Sequence, residues 1–404
     1  DLYEAVTPFD NTSTQSIYEL STHEAEGTPS GKQSPIRILE RAVNAAERAV
    51  GSFIEVMELR PPPTIGSADV RVTPLERKRW KELAARQLDA EALQYLGRYH
   101  LAKLRSAHNL GLYRLTGSYR HLLTADELVR SSSHEWMALT GVTERRYRPF
   151  PDTLRMRTTQ FHWLDQIPDL DEDRRGIEQD LADWKRLARN LEWRPSFGHV
   201  PPGKSPPGEP LTLYLSIPST VPAKALRMRY RNSVGQGGLI DAQKSEIPDT
   251  YRVDIPGEAL TEGLFEYFFS GEIGGHLLDS KSLMSGRYYR LYVTRDEEPP
   301  RIIRLQEQVT EDHDNLVVVF DISDPSGIGK VRLWWKPFPA SATWETVVLS
   351  GKATTFAGNV PLTPQGAMYF VEAIDTVGNA TTLPNPDFET PYWIIEPWEA
   401  AKKE

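Results

Sequence analysis

The sequence predicts a multidomain chain that is helical first and β later: an N-terminal up-and-down helical bundle followed by two Ig/fibronectin-III-like β-sandwiches. Three observations carry this. The stretch Thr73 to Gly117 reads as one long helix. Apolar residues recur at three-and-four spacing before residue 195 and at a spacing of two after residue 210. Between those regions lies PSFGHVPPGKSPPGEP, a run of prolines and glycines that forbids helix. A chain of 404 residues also exceeds one ordinary core.

Residues 1–33 are polar and aperiodic, and read as an extended arm or the tail of a preceding domain. The bundle is expected over 34–195. Its first helix opens at Ser34-Pro35, where Ile36, Leu39, Val43, Ala46, Val50, Phe53 and Met57 form a heptad seam. The prolines at 61–63 stop it. Thr73, Pro74 and Glu76 then supply a capping box with proline in the first turn. The long helix that follows carries Trp80, Leu83, Leu88, Ala92, Leu96, Tyr99, Leu104, Leu112 and Leu115 on more than one face, so other helices must wrap it. Gly117 supplies the left-handed stop. A third helix is expected from Thr124, with Glu127 completing a second capping box, to Gly141. A basic loop covers 142–160. A fourth helix follows Pro168, with Ile177, Leu181, Trp184, Ala188 and Leu191 on one face.

A semi-rigid proline-rich linker is expected over 196–210. The first sandwich, 211–295, begins with LTLYLSI and ALRMRYR. In the second of these, Leu226, Met228 and Tyr230 alternate with Arg227, Arg229 and Arg231. The second sandwich, 296–396, contains NLVVVFDI, KVRLWWKPF and AMYFVEAID, with turns at Asp324-Pro325-Ser326-Gly327 and Gly378-Asn379. Residues 397–404 form a charged tail.

Composition narrows the function classes. A net charge of −9 argues against a general nucleic-acid or acidic-membrane binder. No apolar run reaches the length of a membrane span. With no cysteine there are no disulfides, thiolate metal sites or cysteine nucleophiles. Absent cysteine together with 31 prolines and ten tryptophans suits a bacterial protein of the extracellular space, cell surface or periplasm. A start at Asp1 without methionine suggests a processed chain or a fragment.

The run YLGRYHLAKLRSAHNLGLYRLTGSYRHLLTADELVRSSSHEWMALTGVT resembles a helical region that follows the catalytic domain in large bacterial polysaccharide-degrading proteins. There, as with His162-Trp163 and residues 165–191 here, an HW element and a further helix come next. A proline-rich stretch then leads to sandwiches with endings like YFVEAIDTVGNATTLPNPDFETPYWII. The resemblance spans roughly 34–396. It implies an accessory, non-catalytic C-terminal region of a glycoside hydrolase-like protein. The catalytic acids of such proteins belong to a preceding barrel, so the resemblance transfers no catalytic residue.

The candidate sites are few. Glycosidase chemistry needs two carboxylates about 5 to 10 Å apart in a cleft, whereas Glu82, Asp89 and Glu91 are spaced like solvated helix charges. Asp169, Asp171 and Asp173 begin like a calcium loop, but Arg174 stands where glycine is needed, and acids equally suit a helix N-terminus. Asp321, Asp324 and Asp375 either bracket a structural calcium between sandwich loops or serve as ordinary turn residues; no other cofactor is implied. His100 and His108 lie eight apart on the long helix without a metal-ligand motif. In KVRLWWKPF, alternation places Val331, Leu333 and Trp335 on one face and Arg332, Trp334 and Lys336 on the other. An outward Trp334 between cations would stack on a sugar ring while Arg332 and Lys336 meet acidic groups. The alternative is that Trp334 covers another part of the protein. Arg227 and Arg229 invite the same glycan reading, or cross-strand salt bridges.

Three functions follow, in order. The first is an accessory spacer or assembly platform of an extracellular carbohydrate-processing protein, binding polysaccharide weakly. The second is a structural subunit of a filament or surface layer, contacting other protein subunits or its own copies. The third, an enzyme with a cleft in the bundle, ranks last.

Overall fold

A computed structural model describes residues 14–59, 73–147, 150–151, 160–190, 197–311, 314–337, 344–363, 366–386 and 390–395. The prolines at 61–63, most of the basic loop 142–160 and the tail 397–404 lie outside them. Helices come first and sheets later, as the hydrophobic periods require. Two units emerge. Of the described residues, one holds Pro35–Leu110 and His121–Lys185; the other gathers residues 14–34, Gly111–Arg120 and those from Arg186 onward. Among the described residues no helix is long and apolar enough to cross a membrane.

The second unit begins with a helix where an arm is expected. α1 spans Ile17–Glu26. Ser16 accepts from the Glu19 amide while Glu19 accepts from the Ser16 amide, and Gly27 closes the helix at φ +64°. Ten residues are too few for a clear apolar period; only Ile17 and Ser21 are buried.

The first unit is built on α2 (Pro35–Leu59), α3 (Pro74–Thr116), α4 (Tyr119–Arg146) and α5 (Ile167–Asn190). Of α2, only Val43 and Val50 are fully buried, but the rest of the predicted seam is half-buried while its neighbours are mostly exposed. The predicted cap of α3 forms: Glu76 N–H donates to Thr73 Oγ1 at 3.2 Å and Thr73 N–H donates to Glu76 Oε2 at 2.9 Å. Gly117 ends α3 at φ +73°. Of its apolar set, Ala92, Tyr99 and Leu112 are buried, but Leu115 is 44% exposed.

α4 starts five residues before Thr124 and runs past Gly141. The second capping box is overruled because Leu122, Ala125, Val129, Leu139 and Val142 continue one buried face across both predicted ends. Tyr99, Trp136, Leu139, Val142 and Leu170 form the core of this unit. Trp136 Nε1 donates to the Trp163 carbonyl at 3.0 Å, and His162 caps a single turn, Trp163–Gln166. Within α5, Ile177 and Trp184 are buried as expected. Ala188 and Leu191 have no described side chains.

The first sandwich has one sheet ordered Lys204–Ser205, Tyr289–Val293, Gly263–Ile273, Ala223–Arg231, Gly237–Asp241, and a second made of Leu211–Ser216, Thr250–Ile255 and Gln243–Lys244. The run 196–210 is not a free linker. Phe197 and His199 are buried, and Lys204–Ser205 pairs in parallel with Tyr292–Val293. Prolines flank this short strand but leave its own amides free to pair. The second sandwich joins Arg301–Val309, Asn315–Ser323, Thr355–Pro361 and Gly351–Lys352 in one sheet. Its other sheet is Glu345–Val348, Ile328–Pro337, Ala367–Asp375, Ala380–Leu383, with Trp393–Ile395 also on Ala367–Asp375. Val318, Phe320, Val331, Leu333, Tyr369 and Val371 fill its core.

Candidate functional site

One strand departs from the alternation of a half-buried sheet. All nine residues of Ala367–Asp375 are buried. Tyr369, Val371 and Ala373 face the sandwich core. The opposite set includes Phe370 and Glu372, 1% exposed each. Glu372 is a carboxylate away from bulk water, and every neighbour it needs is present. Across the strand pair Arg332 stands opposite it, with Nη1 3.2 Å from Oε2. Trp334 Nε1 donates to the same oxygen at 3.2 Å. The backbone N–H of Gly31 donates to Oε1 at 2.6 Å.

That third donor belongs to the segment after α1. Thr28–Gln33 runs as a strap on this face, and Gln15 N–H donates to the Gln33 carbonyl at 2.9 Å. The Lys32 ammonium lies 5.1 Å from the Trp334 ring centroid and 3.3 Å from Glu19 Oε1. Only glycine fits at position 31: a Cβ there would lie 2.8 Å from the Thr381 carbonyl oxygen and 2.9 Å from Glu372 Cγ. Gly31→Val is therefore expected to lift the strap, read as lost hydrogen-exchange protection over Thr28–Gln33 with the sandwich strands still protected.

The open sugar-stacking face expected of Trp334, Arg332 and Lys336 is thus corrected. Trp334 lies parallel to Phe370, interplanar angle 4° and centroids 5.7 Å apart, with the strap against it. Lys336 is buried, its ammonium 4.6 Å from the Trp344 centroid. The physical reason is non-local: a segment some 300 residues earlier occupies the face that alternation assigns to solvent. Arg227 pairs across the strands with Asp241 at 2.9 Å, as does Arg231 with Glu266 at 2.6 Å, which is the salt-bridge reading of that stripe; Arg229 stays exposed.

The acidic set reassembles with one substitution. Asp324 and Asp375 meet Asp296, not Asp321, with carboxylate oxygens within 4.8 Å of one another. Asp321 is held away in the register of its strand, opposite Ile303 and Thr355. The oxygens already have donors. Asp375 accepts from the Val377 and Asn379 amides and from Asn379 Nδ2; Asp324 accepts from Ser326. A cation is also at hand: Lys204 Nζ donates to the Asp296 carbonyl and to Asn379 Oδ1. Burial holds its pKa below the ordinary lysine value, against the pull of Asp375, Asp296 and Glu297. Lys204 thereby links the first sandwich to the second. Lys204→Met is expected to cost about 2 kcal/mol by stranding these acceptors, seen as a lower melting temperature of the sandwiches. Asp171 and Asp173 lie inside α5, where Asp173 pairs with Lys103, so no calcium loop forms there.

A cavity of about 390 Å³ is lined by Thr22, Leu115, His199, Leu283, Met284 and Tyr289. Its imidazole has no free nitrogen: Nδ1 is 2.6 Å from the Tyr214 carbonyl and Nε2 is 2.7 Å from Tyr267 Oη. Burial pushes the Tyr289 phenol up to about 12. A second cavity of about 370 Å³ touches Glu298, Arg301 and Asp324 beside the acidic set.

No protein-family model matches the chain, and no curated protein does. Among solved structures, a GH138 enzyme targeting pectin rhamnogalacturonan II is 15% identical, with a TM-score of 0.34, over 42% of this chain and 24% of that one. Fibronectin(III)-like modules of CbhA from Clostridium thermocellum are 13% identical, TM-score 0.27, over 48% of this chain and 88% of theirs. A pullulanase from Anoxybacillus sp. LM18-11 is 11% identical, TM-score 0.23, over 48% and 27%. The chain thus spans about a quarter of the length of both enzymes.

Proposed function

We propose that this chain is a non-catalytic accessory region of an extracellular carbohydrate-processing protein, serving as a spacer and assembly platform. The observation that carries the reading is the pair of ties onto the second sandwich. Lys204 reaches the Asp296–Asn379 loops, while Gly31 seats on Glu372 and Lys32 lies over Trp334. Two sandwiches held at fixed spacing suit a module that positions a neighbour. The chemistry around them supports the same reading, since the buried acids Glu372 and Asp375 are committed to structural donors. Glycan binding through Trp334, with Arg332 beside it, belongs to this proposal as a secondary activity that requires the strap to move.

The test is incubation of the chain with pectic, starch-type and cellulosic polymers, followed by assay of new reducing ends, alongside a glycan array with the parent and Trp334→Ala. No turnover is expected, and parent binding is expected to exceed that of Trp334→Ala. Turnover of any polymer by the chain alone overturns the non-catalytic reading. Equal or absent binding by both proteins, with Gly31 intact and with Gly31→Val lifting the strap, removes the glycan activity.

One observation favours the structural-subunit reading instead. Glu345–Val348 is an edge strand whose Val347 and Val348 are 44% and 59% exposed, an invitation to pair with another chain. Light scattering at rising concentration decides it; a strict monomer removes the self-assembly form of that reading.

A further inference from the structure

The strap contact contains a titratable group that none of its structural roles uses. His23, in the last turn of α1, has a buried Nδ1 without a hydrogen-bond partner among the described residues. Its carbonyl holds the start of the strap, accepting from the Thr28 amide at 2.8 Å. Four charges face the ring: Glu19 and Lys32 from the N-terminal segment, Arg332 and Glu372 from the sandwich. Both carboxylates are already engaged, Glu19 by the Ser16 amide and Lys32, Glu372 by Gly31, Trp334 and Arg332. An imidazolium formed here would meet two carboxylates whose oxygens already accept from other donors, and two cations close by.

We propose that the strap is a pH-gated latch: protonation of His23 releases Thr28–Gln33 from the Ala367–Asp375 strand and uncovers Trp334, Arg332 and Glu372. Neutral pH keeps it closed and acid opens it. The sign follows from burial, which lowers the His23 pKa from 6.5 despite the pull of Glu19 and Glu372. The docked state then binds fewer protons than the released one. Its advantage is full above 6.5 and is lost as the pH falls through that value toward the docked pKa. The latch goes beyond the accessory reading and stands whatever the chain is joined to.

The absence of native cysteine allows a clean test. A nitroxide on Thr28→Cys of the full chain reports strap mobility by its resonance line shape, and hydrogen exchange at Gly31 in unlabelled protein, corrected for intrinsic rates, reports the same event. At neutral pH the label is immobilised and Gly31 protected. At about pH 5 the label is mobile and Gly31 protection falls about tenfold per unit of lowered pKa. His23→Gln keeps the strap docked at both values. Gly31→Val frees the label at both. Two results overturn the latch: a parent strap equally immobile at both values, or a His23→Gln chain that opens in acid like the parent. An immobile label in Gly31→Val overturns the assigned seat of the strap.

Discussion

Replacing Glu372 with alanine is expected to lower the stability of the second sandwich by about 3 kcal/mol, because it removes one partner of a buried ion pair and leaves the other uncompensated. Arg332 would keep a charge on a side chain only 23% exposed, with its Nε already unpaired. Trp334 Nε1 and the Gly31 amide would each lose their acceptor. The strap should detach in the same variant, since Gly31 N–H to Glu372 is its direct hydrogen bond to that strand. Glu372→Gln separates the two effects. The one amide oxygen can take the place of Oε1 and still accept from Gly31, while the amide nitrogen replaces Oε2 and neither accepts from the indole nor attracts the guanidinium, so the sandwich should still lose stability but the strap should stay more protected than in the alanine variant. Denaturant titration gives the free energies and hydrogen exchange over Thr28–Gln33 gives the strap. An alanine variant within about 0.5 kcal/mol of the parent, the range of an inconsequential surface change, would refute the account of this contact.

The parts legible from sequence are those set by local period. The α2 seam, the Thr73–Glu76 box, the Gly117 stop and the inward Leu226 and Met228 each depend on residues a few positions apart. What was not legible depends largely on segments far apart in the chain. The start of α4 and the cover over Trp334 depend on segments distant in sequence: the Tyr119 amide donates to Ser216 Oγ at 3.0 Å, and Gly31 caps Glu372. Alternation alone assigns Glu372 to solvent. A faint signal existed, since the polar Glu372 is preceded two residues earlier by Phe370 in a position where a solvated strand would carry a polar side chain. Likewise Asp324 and Asp375 announce turns, but their third neighbour, Asp296, comes from the stretch between sandwiches, whose placement no periodicity encodes.

Leu139→Asp tests whether the helical unit holds itself together. Leu139 is 1% exposed, among Tyr99, Trp136, Val142 and Leu170. None of these neighbours offers a charge to a carboxylate, so the substitution should cost about 4 kcal/mol or more, through lost packing and a buried unpaired polar group. That is a large part of the stability of an ordinary domain, and the helical unit should unfold. Leu96→Asp, half-buried against the same cluster, should do so less completely. The sandwich cores share no residue with that cluster. Their cooperative transition should therefore survive in both variants, with the far-UV helical signal lost and exchange protection kept at Tyr369 and Phe265. α3 runs from one unit into the other, with Leu110 in the first and Gly111 in the second. Fraying of the first unit should stop where Leu112 is buried. If both sets of strands melted together with the helices, α3 would be transmitting the damage, and the two units would have to be treated as one cooperative body.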